Sequence, residues 1–183
     1  MRFNFIHRQQ GFVLVVSMIF LIIMTMLAVT AIKKATMDEK VTSNLRAQDM
    51  AFQAAEKALR LCESSLILEI GDTNICKSRI GSTIPVIPST RPSDVTNVNS
   101  NFPNQWSVAS NWQDSGGAYP ATRLIGASQL PNVVEQPRCM IERWEIPNER
   151  GKDFYPYVIT ARGVGSSSTA VVWLQEIIRC GNN

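Results

Sequence analysis

A run of apolar residues close to the start of the chain constrains its fold more than any other feature. From Gly11 to Ile32 there is no charge, no proline and no second glycine, and only Ser17, Thr25 and Thr30 are polar. As a helix, the run spans about 33 Å at the standard rise. That matches a hydrocarbon core of about 30 Å. It is apolar on every side, so it suits lipid or a bundle of other apolar helices. Ahead of it lies a short leader with Arg2, His7 and Arg8 and no acid. Positive charge holds such a leader in the cytoplasm and sends the chain beyond the apolar run to the other side. A cleavable secretory signal would have a core of ~7–15 apolar residues and a small-residue cleavage site. This core is longer and Val29-Thr30-Ala31 matches such a site only weakly, so the expectation is an uncleaved anchor.

Beyond Lys33-Lys34 the helical signal continues but changes character. There is no glycine or proline until Gly71. Met37, Val41, Leu45, Phe52, Ala55, Leu59, Cys62 and Leu66 recur mostly at steps of three and four, the mark of an amphipathic helix. Ala51, Ala54 and Ala58 widen that stripe. The spacing predicts one helix from about Phe12 to about Ile70, stopped by Gly71-Asp72.

Residues 72–138 have a different composition, rich in Ser, Asn, Thr and Pro, with no sustained period. Trp106 and Trp112 lie in QWSVASNWQDSGG, which reads as a short helix ended by Gly116-Gly117. Such rings more often anchor a loop to the core than bind a ligand. From Cys139 the pattern becomes strand-like, with Met140, Trp144 and Ile146 on one side and Glu142 interrupting them. Tyr157, Ile159 and Ala161 share a face. The segments ending at Gly163 and starting at Thr169 read as a hairpin across a Gly/Ser turn. Three antiparallel strands with a helix on one face make a stable unit.

The totals exclude several function classes. The net charge of +3 is small and scattered, so nucleic-acid binding is not indicated. The single histidine, His7, is in the leader, which removes Ser-His-Asp and Cys-His catalysis from the rest of the chain. The four cysteines, Cys62, Cys76, Cys139 and Cys180, all lie beyond the apolar run, and no two have CxxC spacing. An even number in an oxidising compartment reads as a disulfide framework. The carboxylates Glu142, Glu145, Glu149 and Asp153 read as solvated surface, since glycosidase chemistry needs two correctly spaced carboxyls. Asp72, Asn74, Asp94, Asn97 and Asn99 are rich in oxygen but form no EF-hand pattern. No cofactor, no metal and no enzymatic activity are therefore expected.

The N-terminus, with its basic leader, Gly11 and then Phe12-Val-Leu-Val-Val, resembles a prepilin. More specifically, the chain resembles PilX-type minor pilins of type IV pili. The residues carrying that resemblance are Arg46-Ala-Gln-Asp-Met-Ala-Phe-Gln-Ala-Ala-Glu56, Ala58-Leu-Arg60 and Pro137-Arg-Cys-Met-Ile-Glu-Arg143. Ile159-Thr-Ala-Arg-Gly163 and Ala170-Val-Val-Trp-Leu-Gln175 add to them. The resemblance covers about 8–62 and 137–180, leaving 72–138 unaligned.

The resemblance implies an α+β, pilin-like fold, with one long N-terminal helix packed on a small antiparallel sheet. Its parts would be a prepilin leader at 1–11, a transmembrane and filament-core helix at 12–33 and an amphipathic half at 34–71. A variable loop-rich region at 72–138 and the sheet at 139–183 would complete it, with 34–183 forming one periplasmic domain. A prepilin peptidase would cut between Gly11 and Phe12, and the new amine of Phe12 would be methylated. The protein would sit in the inner membrane with a single pass and then in the pilus. Its partners would be other minor pilins, the major pilin and, further out, a tip adhesin. Its roles would be initiating or capping the pilus and supporting adhesion and twitching motility. A type II secretion pseudopilin and a membrane-anchored periplasmic binding domain are the rival readings.

Val16 and the cysteines sharpen these expectations. Most pilins have a glutamate where this chain has Val16, and a charged group that deep costs ~3 kcal/mol unless partnered. Val16 makes no such demand, which fits a subunit at the filament tip, as in family members lacking the glutamate, or a low-copy subunit in which the glutamate is dispensable. For the cysteines, the expected pairing is Cys62–Cys76 with Cys139–Cys180, the first closing a loop worth ~3 kcal/mol. Cys62–Cys139 with Cys76–Cys180 is the alternative.

Overall fold

The computed structural model describes residues 12–69, 75–78, 84–89, 102–124, 129–144 and 156–179. The chain divides into two compact units, Met1–Leu45 and Arg46–Asn183. Helix α1, Phe12–Ser65, has 54 residues and contributes to both.

In the first unit the large apolar side chains from Phe12 to Ile32 are all exposed. An 18-residue window of α1 reaches a mean hydropathy of 3.0 and none of it is buried within the protein. Ser17, Thr25 and Thr30 do not break this surface. Each hydroxyl donates to the carbonyl three residues earlier, on Leu14, Ile22 and Leu27, so each polar group is satisfied within its own helix.

The second unit begins with the remainder of α1, and its buried face is made of small residues. Ala47, Ala51, Ala54, Ala55, Ala58, Cys62 and Ser65 are buried. The larger members of the expected stripe differ: Phe52 is 46% exposed, and in the first unit Met37, Val41 and Leu45 are exposed too. The alanine face is explained by what lies opposite it within the second unit, Gly163 and Gly165. A Cβ on Gly163 would lie 2.2 Å from the Ala51 carbonyl oxygen, and one on Gly165 would lie 2.0 Å from that of Ala47. Backbones this close leave room for alanine and not for leucine or phenylalanine.

The helix ends at Ser65, not near Ile70. Ser64 and Ser65 donate their hydroxyls to the carbonyls of Leu61 and Cys62, a local alternative to helix continuation. The next residues become strand β1, Leu66–Glu69, which pairs antiparallel with β2, Ile75–Ser78.

Among the described residues, the remaining strands form one five-stranded sheet. Its strands are β3 (Val86–Ile87), β4 (Thr122–Arg123), β5 (Arg138–Arg143), β6 (Pro156–Val164) and β7 (Val171–Arg179). Strands β5, β6 and β7 run antiparallel in that order, as the alternation predicts. The other edge of β5 is shared end to end. Strand β4 pairs antiparallel with Arg138 and Cys139, and β3 pairs parallel with Ile141 and Glu142. The sheet is thus mixed, and residues read as loop supply two of its strands. Its helix-facing side carries Cys139, Ile141, Tyr157, Ile159 and Ala161, packed with Ala58 and Cys62.

One covalent bond crosses that core. Cys62 of α1 is joined to Cys139 of β5. This corrects the expected Cys62–Cys76 pairing. Sequence proximity favoured a short loop, but the fold lays the last turns of α1 directly over the middle of β5. Cys76 belongs to β2, and Cys180 lies outside the described residues.

Candidate functional site

The side of the sheet facing away from α1 carries a network of charged side chains. On it Arg138 stands opposite Arg162, and Met140 opposite Thr160. Like charges directly opposite on neighbouring strands repel, so the arginine pair needs acids. Glu135 supplies one: its two oxygens accept from Arg138 Nε at 3.3 Å and Arg162 Nη1 at 2.8 Å. Asp114 supplies the other, accepting from Arg138 Nη2 and from Arg123 Nη1. Arg138 is buried, so these bonds are what make its charge tolerable there. Its hydrogen bond and charge hold the Asp114 carboxyl below the usual carboxylate range.

Residues 102–124 cover part of this face. Two short 3-10 turns, Gln105–Ser107 and Ala109–Trp112, replace the single helix expected there. Glu142, expected on the solvated surface, is buried beneath them. Its carboxylate accepts from the backbone N–H of Gln105 at 2.7 Å and of Trp106 at 3.2 Å. Those are orphan donors at the start of the first turn, so the acid caps it. Burial pushes the Glu142 carboxyl up, against the opposing pull of the two backbone donors.

Asn111 knits the cover together. It is buried, donates to the Gln105 carbonyl at 2.9 Å and accepts from the Tyr119 N–H at 3.4 Å. Gly117 passes it with φ of 80°, where a Cβ would meet Asn111 Oδ1 at 2.0 Å. Phe102 stacks edge-on against Trp144 at 5.2 Å.

The two tryptophans of this region differ in burial. Trp112 is an anchor, buried against Ile87, Ala121 and Met140, and its Nε1–H donates to the Trp106 carbonyl at 2.8 Å. Trp106 is 36% exposed. A third ring, Trp173 of β7, meets Trp112 edge to face at 4.7 Å and takes the Arg162 guanidinium over its ring at 5.8 Å. These three rings and the Arg/Asp/Glu network line a groove of about 850 Å³. The sequence carried a signal for Trp173: alternation along β7 sets it apart from Val172 and Leu174, facing away from α1.

The remaining sequence-derived positions lie elsewhere. Phe12 and Val16 are on the exposed start of α1. Gly11 lies outside the described residues, as do Glu145, Glu149 and Asp153 and the oxygen-rich set Asp72, Asn74, Asp94, Asn97 and Asn99.

Comparison with known families bears on both units. The family model described as PilX N-terminal matches residues 10–60. The model described as type IV pilus assembly protein PilX C-term matches residues 76–180, more than half of the chain. This chain belongs to the PilX family. It is a type IV pilus minor pilin, a family of structural proteins, and its apolar N-terminal helix fits membrane anchoring and pilus association. The C-terminal match also extends across 76–136, where no family motif was legible in the sequence. No curated protein and no solved structure matches the chain.

Proposed function

We propose that this PilX-family chain helps to initiate or cap type IV pilus assembly, and so supports pilus biogenesis, adhesion and twitching motility. The observation that carries this reading is an uncharged, largely apolar helix start, exposed along its length, joined in one chain to a PilX C-terminal domain. Residues 12–33 hold the subunit in the inner membrane and later pack among the helices of other minor pilins and the major pilin. Lipid tails and neighbouring helices are equally dry, so one apolar surface serves both settings. The domain at 34–183 stays in the periplasm until it reaches the filament, where a tip adhesin is a candidate neighbour. A prepilin peptidase cuts between Gly11 and Phe12, and Phe12 is then methylated. Uncharged Val16 places no buried carboxylate in the assembly and asks for no partner amine from a neighbour. That suits a subunit at the end of the filament.

Co-expression with a prepilin peptidase tests the reading. The protein is expected to shorten at Gly11–Phe12 and Gly11→Arg to block the change; an unchanged mass would refute processing. Deleting the chain is expected to remove surface pili. Loss of secreted enzymes with pili intact would move it to a secretion system. Labelled protein spread evenly along the shaft would exclude the tip.

A further inference from the structure

We propose that the groove between Trp106 and Trp173 is a binding site for a neutral saccharide. Its volume of about 850 Å³ falls within the range of small-ligand sites, and it lies wholly within the second unit. Two cations and two anions line it, Arg138, Arg162, Asp114 and Glu135, and they are bonded to one another. The four lining charges sum to zero, and Arg123, outside the lining, shares Asp114. An ionic ligand gains little net attraction from paired charges of both signs. A purely apolar ligand would strip water from the same groups without replacing it.

What the groove offers outward is different. Trp106 and Trp173 remain 36% and 47% exposed, an unusual position for large rings on a domain surface. Beside them the Asp114 side chain is 68% exposed and that of Glu135 33%. A carboxylate has about four lone-pair sites, so hydroxyl donors can be added without breaking the arginine bonds. A pyranose ring has one chemistry on its face and another on its rim: C–H groups that lie on an indole, and hydroxyls that donate to carboxylates and accept from guanidinium. That combination fits aromatic planes edged by neutral, paired charge. The rings are also preorganised. The Trp106 Nε1–H donates to the Pro103 carbonyl at 3.0 Å, and Trp173 is held by Trp112 on its edge and by the Arg162 guanidinium over part of its ring. Little side-chain freedom is therefore lost on binding.

The test uses the full-length chain in phospholipid nanodiscs, which carry no sugar. Three of the four tryptophans line the groove, so intrinsic fluorescence reads it directly. Chitotriose represents cell-wall glycans, and lactose and α-mannobiose represent other cell-surface glycans; each is titrated to about 50 mM, with Kd expected on the order of 0.1–1 mM. Saturable change with at least one of them is expected, unaltered by about 0.5 M NaCl, because the ligand is uncharged. Trp173→Ala and Asp114→Asn are each expected to weaken it about tenfold. If far-UV circular dichroism shows that Trp173→Ala disturbs the fold, Asp114→Asn, at an exposed side chain, carries the comparison. No saturable response to any of the three, binding undiminished in the variants, or binding abolished by salt would overturn the proposal. So would loss of co-purifying pilus subunits in Trp173→Ala without saccharide binding, which would make the groove a protein interface. None of these readouts depends on whether the chain caps a pilus.

Discussion

Replacing Gly163 by alanine sets two rules against each other, and the structure decides between them. Removing a glycine from a strand ordinarily gains about 0.5–1 kcal/mol through backbone entropy. Here the added Cβ would lie 2.2 Å from the Ala51 carbonyl oxygen, 2.4 Å from the Ala55 nitrogen and 2.9 Å from the Ala55 Cα. Bringing the oxygen out to ordinary contact at 3.4 Å means separating helix and strand by about 1.2 Å. The obstructing atoms are backbone, so no rotamer change relieves them. The helix is also pinned nearby, because Cys62 is bonded to β5 and Ala54, Ala55 and Ala58 are fully buried along the same face. Overpacking of this kind costs about 1–3 kcal/mol, and the rigid surroundings favour the upper end. The net expectation is a loss of about 2 kcal/mol, a fall in Tm of about 4–8 °C. Denaturant unfolding of the full-length chain in nanodiscs, followed by tryptophan fluorescence, measures it. All four tryptophans, at 106, 112, 144 and 173, lie in the second unit. A Gly163→Ala variant as stable as the parent, or more so, would refute close backbone packing. Trimming the Ala51 side chain is not expected to rescue it, since the obstacle is the Ala51 carbonyl.

Other perturbations test the remaining features. The Cys62–Cys139 bond spans 77 residues, so in the chain-entropy model the double variant Cys62→Ala/Cys139→Ala loses about 4–5 kcal/mol; non-reducing peptide mapping of the parent should recover the Cys62–Cys139 peptide, and a Cys62–Cys76 peptide would refute the connectivity. Glu142→Gln leaves one backbone donor of the 3-10 turn without its acceptor, and equilibrium unfolding should show a cost of about 1–3 kcal/mol. The pH dependence there has a definite sign. Burial raises the Glu142 pKa in the folded state, so the folded protein binds the proton more tightly, and stability falls as pH rises from the ordinary carboxylate value through the raised one. The parent's advantage over Glu142→Gln should shrink across that window; an advantage that grows would contradict the burial. Asn111→Ala should cost about 1–3 kcal/mol by stranding buried backbone groups, and hydrogen exchange should localise the loosening to 102–121.

How far the sequence carried depended on the range of the interaction. The apolar run, the long helix and the β6–β7 hairpin rest on period and turn chemistry within a few residues, and the alternation placed Tyr157, Ile159 and Ala161 together correctly. The end of α1 was misplaced because Leu66–Glu69 fits an apolar helical stripe as well as a strand, and only pairing with Ile75–Ser78 separates the two. Strands β3 and β4 have two residues each, too short for any period. Glu142 looked like an interruption of a buried face because its partners, Gln105 and Trp106, come from 37 and 36 residues earlier. The stripe assigned by residue size was misleading for a related reason. Burial along α1 is set by Gly163 and Gly165, more than a hundred residues away, and they select alanine over the larger Phe52. The groove needed four separate segments to meet, so its tryptophans and arginines could be weighed singly but not assembled.

The bond between Cys62 and Cys139 also determines how the domain bears load. A pull on α1 within the second unit does not have to peel the helix off an alanine seam held by weak, short-range contacts. It passes through a covalent link into β5, an interior strand with β3 and β4 along one edge and β6 along the other. Tension is thereby shared across several ladders of hydrogen bonds that must fail together. The tether enters at the middle of the sheet, away from the β7 edge, and a domain loaded through such a point resists unzipping strand by strand.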